Sequence, residues 1–339
     1  PKAMTLGFNF PWLSITFKPA NIKRIRQIIE KHRPDILHLH NYMFDLAFGA
    51  VYARWVLKAP MILTIHTYLR HPSFFINMIF YLIEQLLLKG VVVRKSACVI
   101  CPDMNVIQYA SKEFRNVSTA LVPYGIYLST SSANAKADLK KRFNLEGKRV
   151  ILSLGHLHAM RNRKDLIFAM PHILKEIPNA VLLIVGDVSI QLPAEWVRKY
   201  DIDGSVTFAG PLQHAEVSAL LELADLEAHW LNQYKPKKTS LGIASLEAMS
   251  AGITVLAAAN LDTYGKGTLV NGENIVIVDP DQPEELARTI VDLLRDETRR
   301  SRIGSCARQT VLNHFSWDSV CEQTIEVYES VIRKSKWRV

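Results

Sequence analysis

A single glutamate, Glu247, stands in a segment of small, apolar and hydroxyl-bearing residues, 239–252, which reads TSLGIASLEAMSAG. Its alanine, leucine and methionine content and the closing Gly252 predict a helix that ends at the glycine. None of the residues three or four positions from the glutamate is a cation: they are Ile243, Ala244, Ser250 and Ala251. Burying a carboxylate is costly unless hydrogen bonds or a positive charge compensate. The sequence therefore raises the question of which group Glu247 binds.

Three glycines, Gly155, Gly186 and Gly210, each follow or end a short apolar run in the second half of the chain. In an open parallel sheet, ligands bind at the carboxyl ends of the strands, and glycine there lets a ligand approach the backbone. Any one of these glycines alone is explained by a tight turn. Together with the loop before Glu247, they favour a cleft for a nucleotide. No GxGxxG follows the first strand of either half, and no P-loop is present. The main sequence motif of a dinucleotide oxidoreductase is therefore missing.

Short apolar runs alternate with segments of helical period along the whole chain, which predicts parallel sheets covered by helices. In the first half, strands are predicted at 35–40, 61–66, 97–101 and 119–123. In the second half, strands are predicted at 149–155, 180–187, 205–210, 225–231, 253–258 and 274–279. With 339 residues, the chain is long enough for two domains.

A polar stretch rich in serine, alanine and lysine, 127–148, interrupts this alternation, and we place the domain boundary there. The predicted organisation is a first domain over 1–130, a linker over 131–148 and a second domain over 149–312. The last segment, 313–339, is predicted to form a helix that packs back on the first domain.

The formal net charge of +9 indicates anionic partners, and nucleic acid, an acidic membrane surface and phosphorylated small molecules all meet that description. The 4 cysteines are too few and too scattered for a disulfide scaffold, which favours a reducing compartment. Cys98 and Cys101 form a CxxC inside a predicted strand, but no second CxxC or histidine pair completes a zinc site. Both thiols are therefore predicted to point into packed surroundings.

The longest apolar run extends from Phe74 to Leu88 and is shorter than the roughly 20 residues that span a bilayer. Lys89, Arg94 and Lys95 follow it. A basic helix of the same domain adds further cations at Lys23, Arg24, Arg26 and Lys31. Two interpretations remain open: an ordinary buried helix of the first domain, or a helix that lies in an anionic membrane interface. The first residues of the chain lack the long apolar core of a cleavable signal.

Eight short motifs occur in a characteristic order along the chain: RPDILHLHN, ILTIH, VILSLGHL, VLLIVGD, VTFAG, LEAMSAG, NGEN and NHFSWD. In this order and spacing the chain resembles the retaining nucleotide-sugar glycosyltransferases of family 4, which have the GT-B fold of two Rossmann-like domains. The resemblance implies transfer of a sugar from a nucleotide diphosphate donor in the second domain to an acceptor held mainly by the first. It implies no metal and no cofactor, because a helix dipole and basic side chains neutralise the phosphates. No nucleic-acid partner is expected.

Within this resemblance, Glu247 matches the second of two glutamates that are separated by seven residues, the one that accepts hydrogen bonds from the ribose hydroxyls. A carboxylate can accept two such donors. The alternative is a buried glutamate paired with a distant arginine. The position of the first glutamate holds Thr239, which can hydrogen-bond the donor sugar but cannot stabilise positive charge at the anomeric carbon. Leu241 and Gly242, in the loop between them, are assigned to the donor site.

Other positions also depart from the family pattern. His156 stands where arginine is common, and Arg161 stands where lysine is common and can still clamp two phosphate oxygens. Arg163 and Lys164 either assist Arg161 or form a solvated basic helix start. The loop 232–238 looks longer than the common form and adds three lysines beside the presumed sugar site. Val188 and Ile253 replace the usual glycine and proline.

In the first domain, His66 matches a histidine that lies against the donor sugar in the closed cleft. Only some 30 residues precede the RPDILHLHN motif, too few for the family's first strand, its glycine-rich loop and the elements that follow. The resemblance thus implies a first sheet that is incomplete at its N-terminus, in a fragment or in a truncated chain whose partner or second copy covers the gap.

Two functions follow from these residues. The first is a retaining, metal-independent glycosyltransferase with catalytic contributions from His66, Arg161 and Thr239. The second is a non-catalytic subunit that keeps the nucleotide cleft as a binding surface, which Thr239 and the short N-terminus favour. The expected location is the cytoplasm, with a membrane surface as a further partner. The donor sugar and the acceptor are not specified by any motif.

Overall fold

The computed structural model describes residues 9–10, 13–14, 19–42, 45–66, 73–114, 116–128, 133–158, 161, 163–228, 241–279 and 281–336. The chain forms two compact units. Unit 1 comprises residues 1–123 and 320–339, and unit 2 comprises residues 124–319.

Unit 1 contains a four-stranded parallel sheet in the order β3-β4-β5-β6. Its strands are β3 (Leu37–His40), β4 (Met61–Thr64), β5 (Cys98–Cys101) and β6 (Thr119–Leu121). Leu37 pairs with Met61, and Val99 pairs with Thr119. β4 and β5 are buried along their full length, as expected for parallel strands covered on both faces. All four strands lie within the apolar runs that predict them.

The other elements of unit 1 flank this sheet. They are a short antiparallel pair, β1 (Asn9–Phe10) and β2 (Leu13–Ser14), and α1 (Pro19–His32), α2 (Asp45–Leu57), α3 (Phe74–Ile83), a π-helical turn (Glu84–Leu88), α4 (Lys89–Val91), a 3-10 turn (Val93–Lys95) and α5 (Met104–Glu113). α5 begins after Asp103, whose carboxylate accepts the backbone N–H of Val106 at 2.9 Å, because the first amides of a helix lack partners within it.

The CxxC of β5 is a packing feature. Side chains alternate between the two faces of a strand, so residues three positions apart point in opposite directions. Cys98 packs with Ile62 and Ile100 on one face of the sheet, whereas Cys101 packs with Val99 and Leu63 on the other. Both thiols are buried and free, as predicted. The two sulfurs therefore do not share one site.

Unit 2 contains a six-stranded parallel sheet in the order β12-β11-β10-β7-β8-β9. Its strands are β7 (Arg149–Leu154), β8 (Ala180–Val185), β9 (Val206–Gly210), β10 (Leu226–Ala228), β11 (Thr254–Ala257) and β12 (Val276–Ile277). Its helices are α6 (Ala133–Arg142), α7 (Lys164–Glu176), α8 (Leu192–Lys199), α9 (His214–Leu221), α10 (Ile243–Ser250), a 3-10 turn (Leu261–Tyr264), α11 (Pro283–Arg295) and α12 (Glu297–His314). Separate apolar clusters cover the two faces, with Ile151 and Ile184 in one and Leu152 and Val185 in the other.

The segment 131–148 is not a linker. It contains α6, whose Leu139 is buried in the core of unit 2 together with Leu145. The exposed face of the same segment forms ion pairs with α9 and the residue that follows it, including Arg142 with Glu216 at 3.0 Å. The polar composition therefore reflects the solvent face of an amphipathic helix, and that is why the composition alone was misleading.

The last helix, α13 (Trp317–Lys336), begins in unit 2 and continues into unit 1. Within unit 1, Val320 and Val331 of this helix pack with Ile62, Ile100 and Val122 of the sheet. The end of the chain thus covers one face of the unit 1 sheet.

Candidate functional site

The three strand-end glycines of unit 2 form one continuous backbone surface at the carboxyl edge of the sheet. The Gly155 N–H donates to the Val185 carbonyl at 2.8 Å, and the Gly186 N–H donates to the Gly210 carbonyl at 3.0 Å. Gly186 has a φ of +138°, and a Cβ placed there would lie 2.5 Å from the Gly155 carbonyl oxygen. Only glycine fits that position, because both its conformation and its space exclude a side chain.

Residues after β7 and β8 continue this pairing, which positions His156. The imidazole Nδ1 of His156 accepts the Asp187 backbone N–H at 3.2 Å. One residue further, Leu157 bridges to Val188, and its carbonyl accepts the Ser189 hydroxyl at 2.8 Å. The His156 ring thus closes a backbone loop beside Gly155 and Gly186. Val188, where the family commonly has glycine, takes part in this ladder.

Arg161 and Arg163 have different surroundings although they are two residues apart. Arg161 is half-buried, and burial lowers the pKa of its guanidinium. Arg163 is buried and donates to the Ser153 hydroxyl at 2.8 Å and to the backbone carbonyls of Leu154, Gly155 and Arg161 at 2.8, 3.0 and 2.9 Å. Its φ of 59° is in the left-handed region. The sequence predicted that Arg163 either contacts phosphate or forms a solvated helix start. Neither role fits a buried guanidinium that donates its hydrogen bonds to backbone carbonyls.

A buried carboxylate, Glu227 of β10, lies beside Arg163. Burial raises the pKa of Glu227 to about 8, while the charge of Arg163 and the nearby Ser245 hydroxyl favour the ionised form. Burial also lowers the pKa of Arg163 to about 10. Ser245 is in α10, two residues before Glu247. The three side chains therefore connect the β7–α7 loop, β10 and α10 beneath the carboxyl edge of the sheet.

Glu247 is half-buried on α10. Burial raises the pKa of its carboxyl group, and the nearby His214, the first residue of α9, acts in the opposite direction. Within the described residues, its carboxylate forms no hydrogen bond and no ion pair with lysine or arginine. The predicted alternative of a buried pair with a distant arginine is therefore not seen there. α10 begins after Gly242, whose extended backbone (φ −71°, ψ 155°) leaves the first amides of the helix facing out of its N-terminus.

Two other predicted positions complete this part of the site. Leu241 is buried, and its carbonyl accepts the Tyr264 hydroxyl at 3.2 Å, which anchors the entry to α10. Thr239 and the loop 232–238 lie outside the described residues, so their predicted roles stay predictions. The structure thus brings Gly155, Gly186, Gly210 and His156 together through hydrogen bonds between the ends of neighbouring strands, and it connects Arg161 to Gly155 through Arg163.

In unit 1, His66 follows β4 and lies beside His40, the last residue of β3. Nε2 of His66 is 2.9 Å from Nδ1 of His40, and the two rings stack with centroids 5.2 Å apart. The backbone N–H of His66 donates to the Asn41 side-chain oxygen at 2.9 Å. Burial, with a smaller contribution from His40, lowers the pKa of His66, so the neutral ring is favoured. Both histidines are at the carboxyl edge of the unit 1 sheet, where ligands bind in such folds.

Sequence reasoning did not identify His40, Glu227 or Ser245 as parts of the two sites, and it gave Arg163 a different role. One signal was available: Glu227 stands in the middle of an apolar strand motif, and a buried glutamate requires a partner. The identity of that partner, 64 positions away at Arg163, has no local signature.

Family models match both halves of the chain. The model described as "Glycosyl transferases group 1" matches residues 135–310, and the model described as "Glycosyltransferase Family 4" matches residues 4–129. The chain belongs to the glycosyl transferases group 1 family, and the predictions of family, of fold class and of glycosyl transfer are confirmed. The family models and the relatives below give no support to the non-catalytic alternative.

Curated relatives agree with this assignment. The chain is 27% identical over 306 residues to a glycogen synthase of Mycobacterium tuberculosis, a match that covers 87% of this chain and 69% of that protein. It is 23% identical over 332 residues to a phosphatidyl-myo-inositol mannosyltransferase of Mycolicibacterium smegmatis, covering 97% and 80%. A GDP-mannose-dependent alpha-(1-6)-phosphatidylinositol monomannoside mannosyltransferase of Mycobacterium tuberculosis is 28% identical over 198 residues, covering 55% and 49%.

Solved structures share the fold. A glycosyltransferase from Rickettsia africae aligns with a TM-score of 0.74 at 18% identity, covering 92% of this chain and 81% of that chain. Anabaena Alr3699/HepE in complex with UDP aligns with a TM-score of 0.71 at 19% identity, covering 91% and 82%. These similarities confirm the predicted GT-B architecture of two Rossmann-like domains.

Proposed function

We propose that this glycosyltransferase takes a sugar from a nucleotide diphosphate donor and transfers it, with retention and without a metal ion, to a hydroxyl acceptor. The observation that carries this proposal is Glu247, a half-buried carboxylate whose hydrogen-bonding capacity is unused among the described residues. Two ribose hydroxyls would satisfy it, and a site built to accept such donors discriminates strongly against an analogue that lacks them. One relative is described as GDP-mannose-dependent, and HepE is also known with UDP-glucose.

The donor phosphates are assigned to the loop after β7 and to the start of α10. Arg161 provides a planar cation that can grip two phosphate oxygens. The free amides after Gly242, at the positive end of the α10 dipole, provide further donors. Arg163 does not touch the donor in this proposal. It holds the carbonyls of Leu154, Gly155 and Arg161 in place, which keeps the loop that carries Arg161 in one conformation.

The proposed reaction is a front-face displacement. The bond between the anomeric carbon and the diphosphate oxygen breaks, and the bond between the same carbon and the acceptor oxygen forms on the same face. The acceptor proton passes to the departing diphosphate oxygen. Arg161 and the amides of α10 stabilise the negative charge that develops on the leaving group, which is where fixed donors lower the barrier most.

The donor sugar is assigned to His66 and Thr239. His66 would contact the sugar as a neutral imidazole, in agreement with the lowered pKa, and its ring is oriented by His40. The acceptor presents a hydroxyl group. Relatives with names that include glycogen synthase and phosphatidyl-myo-inositol mannosyltransferase indicate glycans and lipid-linked sugars as acceptor classes. We place the enzyme in the cytoplasm, since its described cysteines are free thiols, and at the surface of a membrane.

The ribose assignment is tested by thermal stabilisation with nucleoside diphosphates. At about 100 times the dissociation constant, a bound nucleotide stabilises the protein by about 2.7 kcal/mol, which gives a measurable shift in Tm. Glu247→Ala should abolish most of this shift. A 2',3'-dideoxynucleoside diphosphate should give the wild type almost no shift, because the hydroxyls that Glu247 accepts are missing.

Glu195→Ala is the matched control, because Glu195 is an exposed glutamate of α8 in the same unit. It should leave the shift unchanged. A full shift with the dideoxynucleotide would contradict the ribose assignment. Release of free sugar and of glycosylated acceptor, measured over a panel of nucleotide sugars, tests the transfer itself. If nucleotides stabilise the protein but no donor is turned over, the catalytic proposal is wrong and the proposal of a nucleotide site is retained.

A further inference from the structure

A long helical stretch of unit 1, residues 74–95, exposes an unusual amount of apolar surface. It comprises α3, the π-helical turn, α4 and the following 3-10 turn. Nine of its large apolar side chains are exposed: Phe74, Phe75, Met78, Ile79, Tyr81, Leu82, Ile83, Leu86 and Val91. Phe74, Phe75 and Leu86 are exposed to 75%, 71% and 79%. Such a contiguous patch on a folded protein marks a surface that binds a membrane or another molecule.

The opposite side of the same stretch packs into unit 1. Phe80, Leu88, Val92 and Val93 are buried in the core that also contains Tyr42. Phe80, Glu84, Leu88 and Val92 are four residues apart, and in an α-helix this spacing drifts by about 40° at each step. The π-helical turn Glu84–Leu88 has more residues per turn and so offsets the drift. The buried residues therefore face the core of unit 1 along the whole stretch, and the exposed apolar side chains form one continuous face.

The charges of the stretch are distributed in the same way. Glu84 is its only acidic residue, and it is fully buried, where its carboxylate accepts the hydroxyls of Tyr42 and Tyr109. Glu113 of α5 lies beside the stretch and is engaged by the Gln85 amide at 2.8 Å. Lys89, Arg94 and Lys95 supply positive charge at the C-terminal end, and both Arg94 and Lys95 are exposed. The outward side thus combines apolar side chains with cations and carries no acid of its own.

With 22 residues, the stretch is long and apolar enough to span a membrane by length and composition. Its inward side argues for a different placement, because a spanning helix would expose Glu84 to lipid and remove Phe80 and Leu88 from the core of unit 1. A charged side chain and a lost core contact are both costly. A helix that keeps its inward side packed on the protein and places its outward side in the lipid interface avoids both costs.

We propose that the outward face of residues 74–95 binds the interfacial region of an anionic lipid bilayer, with the helix parallel to the membrane plane. Aromatic and aliphatic side chains enter the boundary between head groups and acyl chains, and Lys89, Arg94 and Lys95 meet the lipid phosphates. This inference deepens the proposed membrane location and does not depend on the transfer reaction. It commits to lipid as the occupant because apolar and cationic groups occur together, whereas a second copy of this chain would present cations to cations.

Co-sedimentation with vesicles tests the proposal. Wild-type protein should sediment with vesicles of phosphatidylglycerol and phosphatidylcholine at low salt, and much less with phosphatidylcholine alone or at high salt, because charge attraction is screened. The double variant F75S/L86S should lose at least tenfold in partitioning. Arg94→Gln and Lys95→Gln should each lower binding to the anionic vesicles about fivefold, which corresponds to one cation near the surface.

The control is L192S/I325S, which changes two exposed apolar residues outside the stretch. It should bind vesicles like the wild type. Circular dichroism and the melting temperature verify that each variant is folded, and unchanged nucleotide stabilisation shows that the proposed donor site of unit 2 is unaffected. Wild-type protein that stays in the supernatant at low salt would overturn the proposal, as would equal losses in F75S/L86S and in the control. A concentration-dependent dimer in light scattering that F75S/L86S abolishes would replace lipid by a second copy of the chain.

Discussion

Glu227 and Glu247 show at the residue scale how surroundings decide the role of one side-chain type. Both carboxyl groups have a pKa raised by burial. Glu227 is completely buried and is compensated by Arg163 and Ser245, so it belongs to the framework. Glu247 is half-buried, and within the described residues only the charge of His214 acts on it, so it has capacity left for a ligand. Burial therefore does not separate a structural carboxylate from a binding one, but the presence of partners does.

The phosphate role of Arg161 is a residue-scale prediction. Arg161→Ala should weaken binding of a nucleoside diphosphate ten- to a hundredfold, because a charge-assisted hydrogen bond contributes about 1.5 to 3 kcal/mol. Binding of the corresponding nucleoside should change little, since it has no phosphate for the guanidinium to grip. Isothermal titration of both ligands measures the difference. Arg198→Ala, at an exposed arginine of α8, is the control, and equal losses for the two ligands would exclude Arg161 from the phosphate site.

At the scale of secondary-structure elements, the site depends on how three of them are held together. The β7–α7 loop, β10 and α10 meet through Arg163, Glu227 and Ser245. Two of these elements carry the proposed donor contacts, Arg161 in the loop and Glu247 on the helix. Arg163 and the buried Glu227 beside it are thus a pair that supports the elements carrying two binding residues.

Removing one partner of this pair should be strongly destabilising. Arg163→Ala leaves Glu227 buried without its cation, and such a loss costs about 3 to 5 kcal/mol. The double variant R163A/E227Q should recover part of that loss, because glutamine is neutral without the protonation that buried Glu227 requires once its cation is gone. Chemical unfolding of the two variants measures the recovery. Arg142→Ala, which breaks the surface pair with Glu216, should cost less than about 1 kcal/mol. If Arg163→Ala is as stable as the wild type, the proposed framework role of Arg163 is wrong.

At the scale of the whole molecule, each unit has a parallel sheet of its own, and the chain returns to unit 1 at its end. His38 of β3 contacts the helix that returns to unit 1. Its Nδ1 is 2.5 Å from the Tyr328 hydroxyl of α13, and its Nε2 is 2.7 Å from the Thr64 hydroxyl of β4. The contact joins residues that are 290 positions apart. One side chain therefore connects the last helix to two strands of the first sheet.

This connection predicts a pH dependence of stability. Burial, followed by the charges of His40 and His66, lowers the pKa of His38 from 6.5 to about 4. Above pH 6.5 both the folded and the unfolded chain carry a neutral ring, and His38 makes no pH-dependent contribution. As the pH falls from 6.5 to 4, the unfolded chain binds a proton that the folded chain does not, so stability decreases. The loss is at most about 3 kcal/mol, since one pKa unit corresponds to 1.36 kcal/mol.

Unfolding at pH 7.5 and at pH 4.5 measures this effect. His38→Asn keeps hydrogen-bonding capacity but does not titrate, so its stability should decrease less than that of the wild type between the two pH values. His172→Asn, at an exposed position on α7, should behave like the wild type. An identical pH dependence of the wild type and His38→Asn would show that His38 does not carry the effect.

The sequence by itself determined the features that depend on neighbours in the chain. Alternating apolar runs predicted all ten parallel strands of the two sheets, because strand burial and helix periodicity are local patterns. The glycines at 155, 186 and 210 and the helix that carries Glu247 followed from the same local reasoning. The segment 133–142 was wrongly predicted to be a linker. Its polar composition reflects the exposed face of a helix, and composition alone does not show which side of a helix is buried.

Only the tertiary structure decided which distant groups meet. The pairing of Arg163 with Glu227, the contact of His38 with Tyr328 and the burial of Glu84 between two tyrosines all join residues that are far apart in the chain. Such contacts have no local signature, because they depend on how sheets and helices are stacked. The physical reason is that a buried charge or polar group is stable only with a partner, and the fold, not the neighbouring sequence, brings that partner to it.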